Sequence, residues 1–246
     1  MKLIKLDAID STNDFLKALA SQEELDNFTV VTAENQTKGK GQMGSKWQSE
    51  SGKNLIMSVL VKDFLFDKEK VFNLSIIVSL AVIETLKALD ISNLSIKWPN
   101  DIMSYNKKIG GILIENTIKS DGRIVSVAGL GLNVNQTNFD DLPLASSLAV
   151  LSGKTFDKDV LPSLITEKIE QKIEFWQANS AVFWDQYFNS LFRKGIPMPF
   201  KNLHPNTSGQ NFMGIIQGVS PVGKIRILLK DDSVSEFDIK EIQMLY

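Results

Sequence analysis

The chain has 246 residues, 43% hydrophobic and 23% charged, the profile of a soluble globular protein able to bury a sizeable core. Its 27 Lys+Arg against 29 Asp+Glu give a net charge of -2, without the basic surplus that non-specific nucleic-acid binding needs. Cysteine is absent and His204 is the sole histidine, which excludes disulfides, thiolate metal sites and Cys nucleophiles and leaves no material for a His triad.

Residues 3–8 alternate polar and apolar and predict a strand, with no signal-peptide core before it. Asp10-Ser11-Thr12 then reads as a helix N-terminus, Ser11 or Thr12 capping a stripe of Phe15, Leu16 and Leu19. A β-branched run, Phe28–Ala33, predicts a second strand. The polar, glycine-bearing stretch from Glu34 to Lys53 is long for a connection and marks a functional loop. Leu55–Val61 predicts a buried strand, and 68–89 a long helix with Val71, Leu74, Val78, Val82 and Leu89 in phase. Its apolar stretch around Leu74–Ile83 is too short and interrupted to span a membrane.

Three β-type runs follow, Leu94–Trp98, Ile109–Glu115 and Arg123–Val134, then two predicted helices, Leu161–Gln177 and Ala181–Phe192. Past Gly195-Ile196-Pro197-Met198-Pro199 the texture changes. Phe212–Gln217, Lys224–Leu229 and Val234–Ile239 are short strands between Gly-, Pro- and Asp-rich turns, a small β-unit expected to dock on the rest. The division falls at 1–195 and 196–246. His204 lies in a Leu-His-Pro-Asn loop and receives no role.

Gly39-Lys40-Gly41-Gln42-Met43-Gly44 satisfies the dinucleotide pattern G-x-G-x-x-G. That mechanism needs a helix opening in the loop, and Ser45–Asn54 has no helical period. Ser45-Lys46 also stands where a P-loop requires Lys-Ser/Thr. What remains is a glycine loop with Lys38, Lys40 and Lys46 about it and Trp47 closing it: an ordinary surface loop, or a flap whose N–H groups and lysines wrap a phosphate-bearing ligand. In Lys97-Trp98-Pro99-Asn100-Asp101, a lysine at a strand end sits beside turn chemistry and a carboxylate. Lys107-Lys108-Ile109-Gly110-Gly111-Ile112 enters a strand through two cations and paired glycines, and Gly129-Leu130-Gly131-Leu132-Asn133 ends one in an amide. Each has a plain structural reading as a turn, a hairpin edge or a buried strand.

In order, Ser11-Thr12-Asn13, Gln36, Gly39–Trp47, Lys97–Asp101, Lys108–Leu113 and Gly129–Asn133 resemble biotin protein ligases, over roughly residues 9–135. The resemblance implies an α+β fold: a class II synthetase-like catalytic domain with helices on a central mixed sheet, plus a C-terminal SH3-like β-barrel. It implies ATP-dependent conversion of biotin to biotinyl-5′-AMP, then transfer to a lysine of a biotin carboxyl carrier protein domain, as in acetyl-CoA carboxylase. Mg²⁺ accompanies ATP, held by phosphate and water, with no protein metal site assigned. Neither half-reaction needs an enzyme nucleophile, which suits a chain without Cys.

Carried over residue by residue, Lys108 bridges carboxylate and phosphate oxygens, with Lys97 and Asp101 completing the catalytic set. Ser11, Thr12, Asn13 and Gln36 serve the ureido head of biotin, with Gly110, Gly111 and Asn133 nearby; Gly39, Lys40, Gly41, Gln42 and Trp47 close over the adenylate. The familiar form of the loop is arginine-rich, whereas this chain has Lys40, Gln42 and Met43 there and three arginines in all against 24 lysines. Ser11 lies too close to Met1 for a preceding winged-helix segment, so no DNA partner is expected, nor a membrane; the resemblance allows a homodimer in the cytoplasm. The alternatives are a lipoate–protein ligase, whose arginine- and glycine-rich segment with a following His is missing, and a non-catalytic biotin-binding regulator.

Overall fold

The computed structural model describes residues 2–203 and 209–246, so His204 lies outside the described residues. Strand β1 (Leu3–Ile9) leads into helix α1 (Thr12–Gln22), capped by the Ser11 side chain, which accepts from the Asp14 N–H. Such a cap contributes about 1 kcal/mol. β2 (Val30–Gln36) pairs parallel to β1, and the crossover places α1 over the sheet against β2 and β3 (Leu55–Val61). Helix α2 (Phe72–Ala88), β4 (Leu94–Lys97), β5 (Asp101–Ser104), β6 (Lys107–Ile118) and β7 (Ile124–Leu132) follow. Together they make a seven-stranded mixed sheet in the order β1-β2-β3-β7-β6-β5-β4, antiparallel except for β1 and β2.

Strand alternation splits the sheet between two cores. Leu55, Met57, Val59, Ala128 and Leu130 face α2 and the later helices, whereas Val31, Leu60 and Val127 face Leu16 of α1. β5 is an element the sequence reading passed over, because four residues between a turn and the Tyr105-Asn106 hairpin carry too little pattern.

After a short helix, α3 (Leu148–Ser152), the two expected helices follow end to end as one kinked element. Helix α4 (Leu161–Asn189) runs through with a kink at Asn179, whose backbone leaves helical geometry (φ -130°, ψ 15°). The Asn179 amide donates to the Phe175 carbonyl at 3.0 Å, which keeps that acceptor satisfied across the break.

The remaining strands are β8 (Pro197–Asn202), β9 (Asn211–Val219), β10 (Ile225–Leu228), β11 (Val234–Phe237) and β12 (Ile242–Met244). They form an antiparallel sheet in the order β11-β10-β9-β8-β12, whose hydrogen-bond ladder stays open rather than closing into a barrel. β8 and β12 were missed, the first because Pro197 and Pro199 read as a linker, the second because three residues carry no period. This sheet shares the main core: Phe200, Ile216 and Ile225 pack in one cluster with Phe72, Trp98 and Tyr187. Gly223 (φ +93°) holds the junction, since a Cβ there would stand 2.7 Å from the Phe72 ring, and its carbonyl accepts from Trp98 Nε1 at 2.8 Å. No described helix is long and apolar enough to cross a membrane.

Candidate active site

Register builds the site. Gly131 of β7 lies opposite Ile56 of β3 and Gly111 of β6; Gly111 lies opposite Asp101 of β5, and Asp101 opposite Lys97 of β4. One row across five strands therefore reads Ile56, Gly131, Gly111, Asp101, Lys97, all on the α1 face. Without a side chain at 131 the surface is flat enough for the Trp47 ring to lie on it; a Cβ there would collide with the indole. A Cβ on Gly129, one row further along, would collide in the same way with the Asn13 side-chain oxygen.

Lys108 reaches this row through a bulge. Ile102 pairs with Gly110 but Met103 pairs with Lys108, so Ile109 is an extra residue on β6. The insertion turns Lys108 onto the face of Asp101 instead of the core face taken by Gly110. Its Nζ stands 2.6 Å from Asp101 Oδ1 and 5.7 Å from the centre of the Trp47 ring, while Lys97 Nζ lies 3.6 Å from Asp101 Oδ2 and 5.0 Å from the Tyr246 ring centre. Two ammonium groups thus share one carboxylate, leaving a net positive charge at the edge of the flat patch. The Lys108 main chain is clamped as well, its N–H donating to Leu144 O at 2.7 Å and its carbonyl accepting from Ser146 N at 2.9 Å.

The opposite end of the site is a hydrogen-bonded polar cluster at the start of α1. Thr12 donates its N–H (2.7 Å) and its hydroxyl (3.0 Å) to Gln36 Oε1. Ser58 Oγ lies 2.8 Å from Thr12 Oγ1 and 2.7 Å from Asn13 Oδ1, and Asn13 Nδ2 donates to Glu115 at 2.8 Å. Ser58 was missed by sequence reasoning. The signal was present, a hydroxyl in the middle of the otherwise apolar run Leu-Ile-Met-Ser-Val-Leu-Val.

The glycine loop covers this surface as a small hairpin, with Gly41 N donating to Ser45 O and Trp47 N to Gly39 O. Lys40 points to Asp14 at 2.5 Å, and Asp14 also meets Lys17 at 3.1 Å. Burial pulls the Asp14 carboxyl upward, but the hydrogen bonds from Lys40 and Lys17 outweigh it and hold it below the ordinary carboxylate value. From the far side Lys240 donates to the Met43 carbonyl.

These parts enclose a cavity of about 460 Å³. The structure brings Ser11, Thr12, Asn13 and Gln36 to one end, Lys97, Asp101, Lys108 and Gly111 to the other, and Lys40, Gly41, Gln42 and Trp47 over the top. Three expected site residues do not line it. Gly110 faces Leu132 and Ile102 in the core. Asn133 is buried and donates to Ser146 O at 2.9 Å, bracing the segment that clamps Lys108. Gly39 lies behind the loop, where a Cβ would collide with the Trp47 carbonyl. Conversely Ile239, Lys240, Gln243 and Met244 of the C-terminal sheet close one wall, a contribution no local pattern could reveal because it comes from docking.

The Nε1–H of Trp47, which lies against Gly131, is buried and meets no acceptor among the described residues. Asp101 is the acidic side chain among the lining residues, already engaged by two lysines, and the described residues contain no group of three His, Cys, Asp or Glu side chains placed for a metal. The arrangement suits anions whose counter-ions they bring with them.

A flat, tryptophan-lidded cavity with paired cations at one end and hydroxyl and amide groups at the other has the chemistry to hold an anionic ligand. The chain belongs to the biotin/lipoate A/B protein ligase family, whose model matches residues 6–135. It is 34% identical over 161 residues to the bifunctional ligase/repressor BirA of Bacillus spizizenii, a match covering 63% of this chain and 49% of that protein, so it spans about half that relative's length. It is 30% identical over 223 residues to the biotin–[acetyl-CoA-carboxylase] ligase of Mycobacterium tuberculosis, covering 87% of this chain and 79% of that one. Among solved structures, the biotin protein ligase from Aquifex aeolicus in complex with biotin and ATP superposes with a TM-score of 0.78 at 26% identity, covering 99% of this chain and 98% of that one.

Proposed function

We propose that this protein is a biotin protein ligase of the cytoplasm. It joins biotin to Mg²⁺-ATP, giving biotinyl-5′-adenylate and pyrophosphate, and then passes the biotinyl group to one lysine of a biotin carboxyl carrier protein domain, releasing AMP. The observation that carries this reading is Asp101 held between Lys108 and Lys97 on the same sheet row as the glycine patch under Trp47.

The obstacle to the first step is repulsion between a carboxylate and a polyphosphate. A unit charge 4 Å away contributes about 4 kcal/mol at an effective dielectric of about 20. Lys108, on a clamped backbone, is placed to neutralise the meeting oxygens, and Asp101 keeps both ammonium groups aimed without cancelling them. Lys97 is the second cation, and Lys40 can leave Asp14 for a phosphate at little cost because that pair is exposed. Thr12, Asn13 and Gln36 offer donors and acceptors to the ureido head, while Gly111 and Trp47 give the ring system a flat slot. Once the mixed anhydride forms, the loop and Trp47 keep water from it. Asn133 enters as a positioning residue for the Lys108 segment.

Residues 1–195 carry activation in this reading, and residues 196–246 wall the cavity. The balanced charge supports protein and small molecules rather than DNA as partners. The test is mass spectrometry of a biotin carrier domain incubated with protein, biotin and Mg²⁺-ATP. The expected result is one added biotin with pyrophosphate release, suppressed when Lys108 is replaced. Adenylation of lipoate in preference to biotin would favour the other branch of the family, and binding without pyrophosphate a regulator.

A further inference from the structure

Glu115 of β6 does not line the main cavity, yet it holds a residue that does. Asn13 lies over Gly129 on the α1 face of the sheet, and its amide is bonded at both ends. Nδ2 donates to Glu115 Oε2 at 2.8 Å and to the Leu113 carbonyl at 3.2 Å, while Oδ1 meets Ser58 Oγ at 2.7 Å. Glu115 is held in turn by Lys17, whose Nζ stands 2.6 Å from Oε1 and leaves Oε2 for Asn13.

A carboxamide keeps nearly the same shape when its oxygen and nitrogen change places, so its partners decide which way it faces. A carboxylate and a backbone carbonyl only accept. They fix the Asn13 nitrogen on their side and turn its oxygen to Ser58. That oxygen takes the single hydroxyl proton of Ser58, which therefore has none to give Thr12 Oγ1, 2.8 Å away. The Thr12 proton goes to Ser58 or to Gln36 Oε1 at 3.0 Å, and the lone pairs of Thr12 are left over. The carboxylate's polarity thus passes along the chain, and Thr12 meets a ligand as an acceptor. Ser11 is its complement: it accepts from the Asp14 N–H at 3.3 Å and has its own proton to give. An N–H beside a carbonyl, as in a cyclic urea, matches this pair. Resting on the function proposed above, we infer that Glu115 is a positioning residue for specificity: through Asn13 and Ser58 it makes Thr12 the acceptor for a ureido N–H.

Reversing the ion pair separates this role from a plain brace between α1 and β6. Lys17→Glu with Glu115→Lys keeps a salt bridge there but faces Asn13 with a charged donor, which outweighs the longer bond to Leu113. Glu115→Gln faces it with a group that both donates and accepts. The probes are biotin and its two cyclic carbamate analogues, each with a ring oxygen in place of one ureido N–H, titrated calorimetrically against the full chain. The unaltered protein is expected to prefer biotin at least about tenfold over one of them. That preference should fall about fivefold in Glu115→Gln and disappear in the reversed pair, with the weaker biotin binding seen in the KM for biotin rather than in kcat. In a Ser58→Ala background Glu115→Gln should move the preference by less than about twofold, because the relay is already cut. A preference within about twofold of the parent's in the reversed pair, or in Glu115→Gln should the reversed pair not fold, makes Glu115 a brace and overturns the inference. So does a parent that binds both carbamates as tightly as biotin, or a Glu115→Gln effect undiminished without Ser58. Absence of biotin-dependent pyrophosphate release in the unaltered protein would instead defeat the ligase reading itself.

Discussion

Replacing Lys108 by alanine tests the electrostatic core of the site. In the intact protein two ammonium groups share Asp101, at 2.6 Å and 3.6 Å, so the trio carries one net positive charge. Lys108→Ala leaves the carboxylate with Lys97 alone and brings the trio to neutrality where two further anions must meet. At about 4 Å and an effective dielectric of about 20 the lost attraction is about 4 kcal/mol. Partial exposure of the lysine side chain (35%) brings this to about 3 kcal/mol, or roughly a hundredfold in rate. The assay is the initial rate of biotin-dependent pyrophosphate release, with biotin affinity measured separately by calorimetry. Pairing Lys108→Ala with Asp101→Asn restores the net charge to +1 without restoring position, so about tenfold recovery separates charge from geometry. A single variant within about threefold of the parent rate would refute the assignment.

Glycines on opposite faces of the sheet should behave oppositely. Gly131→Val pushes Trp47 off its seat and is expected to weaken biotin binding by at least tenfold in a fluorescence titration, whereas Gly110→Ala, which crowds Leu132 and the Gly131 carbonyl, should lower the melting temperature and leave biotin affinity within twofold. Asp14→Asn releases Lys40 from an exposed pair worth about 0.5–1 kcal/mol, so the KM for ATP is expected to fall by about two- to fivefold with kcat unchanged; a rise would mean that Asp14 positions Lys40 for the ligand. Glu84 joins α2 to Lys168 and Lys172 of α4 at 2.8 Å and 2.5 Å; burial raises its carboxyl, but the two hydrogen bonds outweigh that and hold it below its ordinary 4.5. Because the folded value lies below the unfolded one, the contribution is present in full above pH 4.5 and disappears as pH falls through the folded value. Glu84→Gln should therefore cost about 0.5–1 kcal/mol in chemical denaturation near neutrality and progressively less as the pH is lowered below 4.5; a cost that does not change with pH would point to packing.

How much of this was legible in the sequence depended on what each residue's neighbours are. β3 was read to its exact ends because seven residues buried on both faces leave a continuous apolar run. A cap at Ser11 or Thr12 was legible from local chemistry, and the glycine loop and Lys97–Asp101 stood out as segments that the structure brings to one cavity. The two-helix reading of 161–192 was legible because the polar Gln-Ala-Asn-Ser segment interrupts the apolar period, and the backbone breaks within it, at Asn179. What could not be read was registration. That Gly131, Gly111, Asp101 and Lys97 fall on one row depends on pairings between segments tens of residues apart, and the bulge at Ile109 that delivers Lys108 to that row has no signature beyond two neighbouring glycines. The wall from residues 239–244 depends on docking of the C-terminal sheet, which its short strands do not announce.

The loop over the cavity can be ranked by what holds it. The Lys40–Asp14 pair is about half exposed on both sides, so it contributes at most about 1 kcal/mol. The bond from Lys240 to the Met43 carbonyl is likewise at the surface. The hairpin bonds between Gly39–Gly41 and Ser45–Trp47 are internal to the loop and travel with it when it moves. That leaves Trp47, seated on Gly131 with a buried indole N–H lacking a partner among the described residues. An unmet buried donor costs about 1–3 kcal/mol, which offsets much of the gain from covering the ring. In a loop with Lys40, Gln42 and Met43, the closed position therefore rests on the indole more than on surface charge.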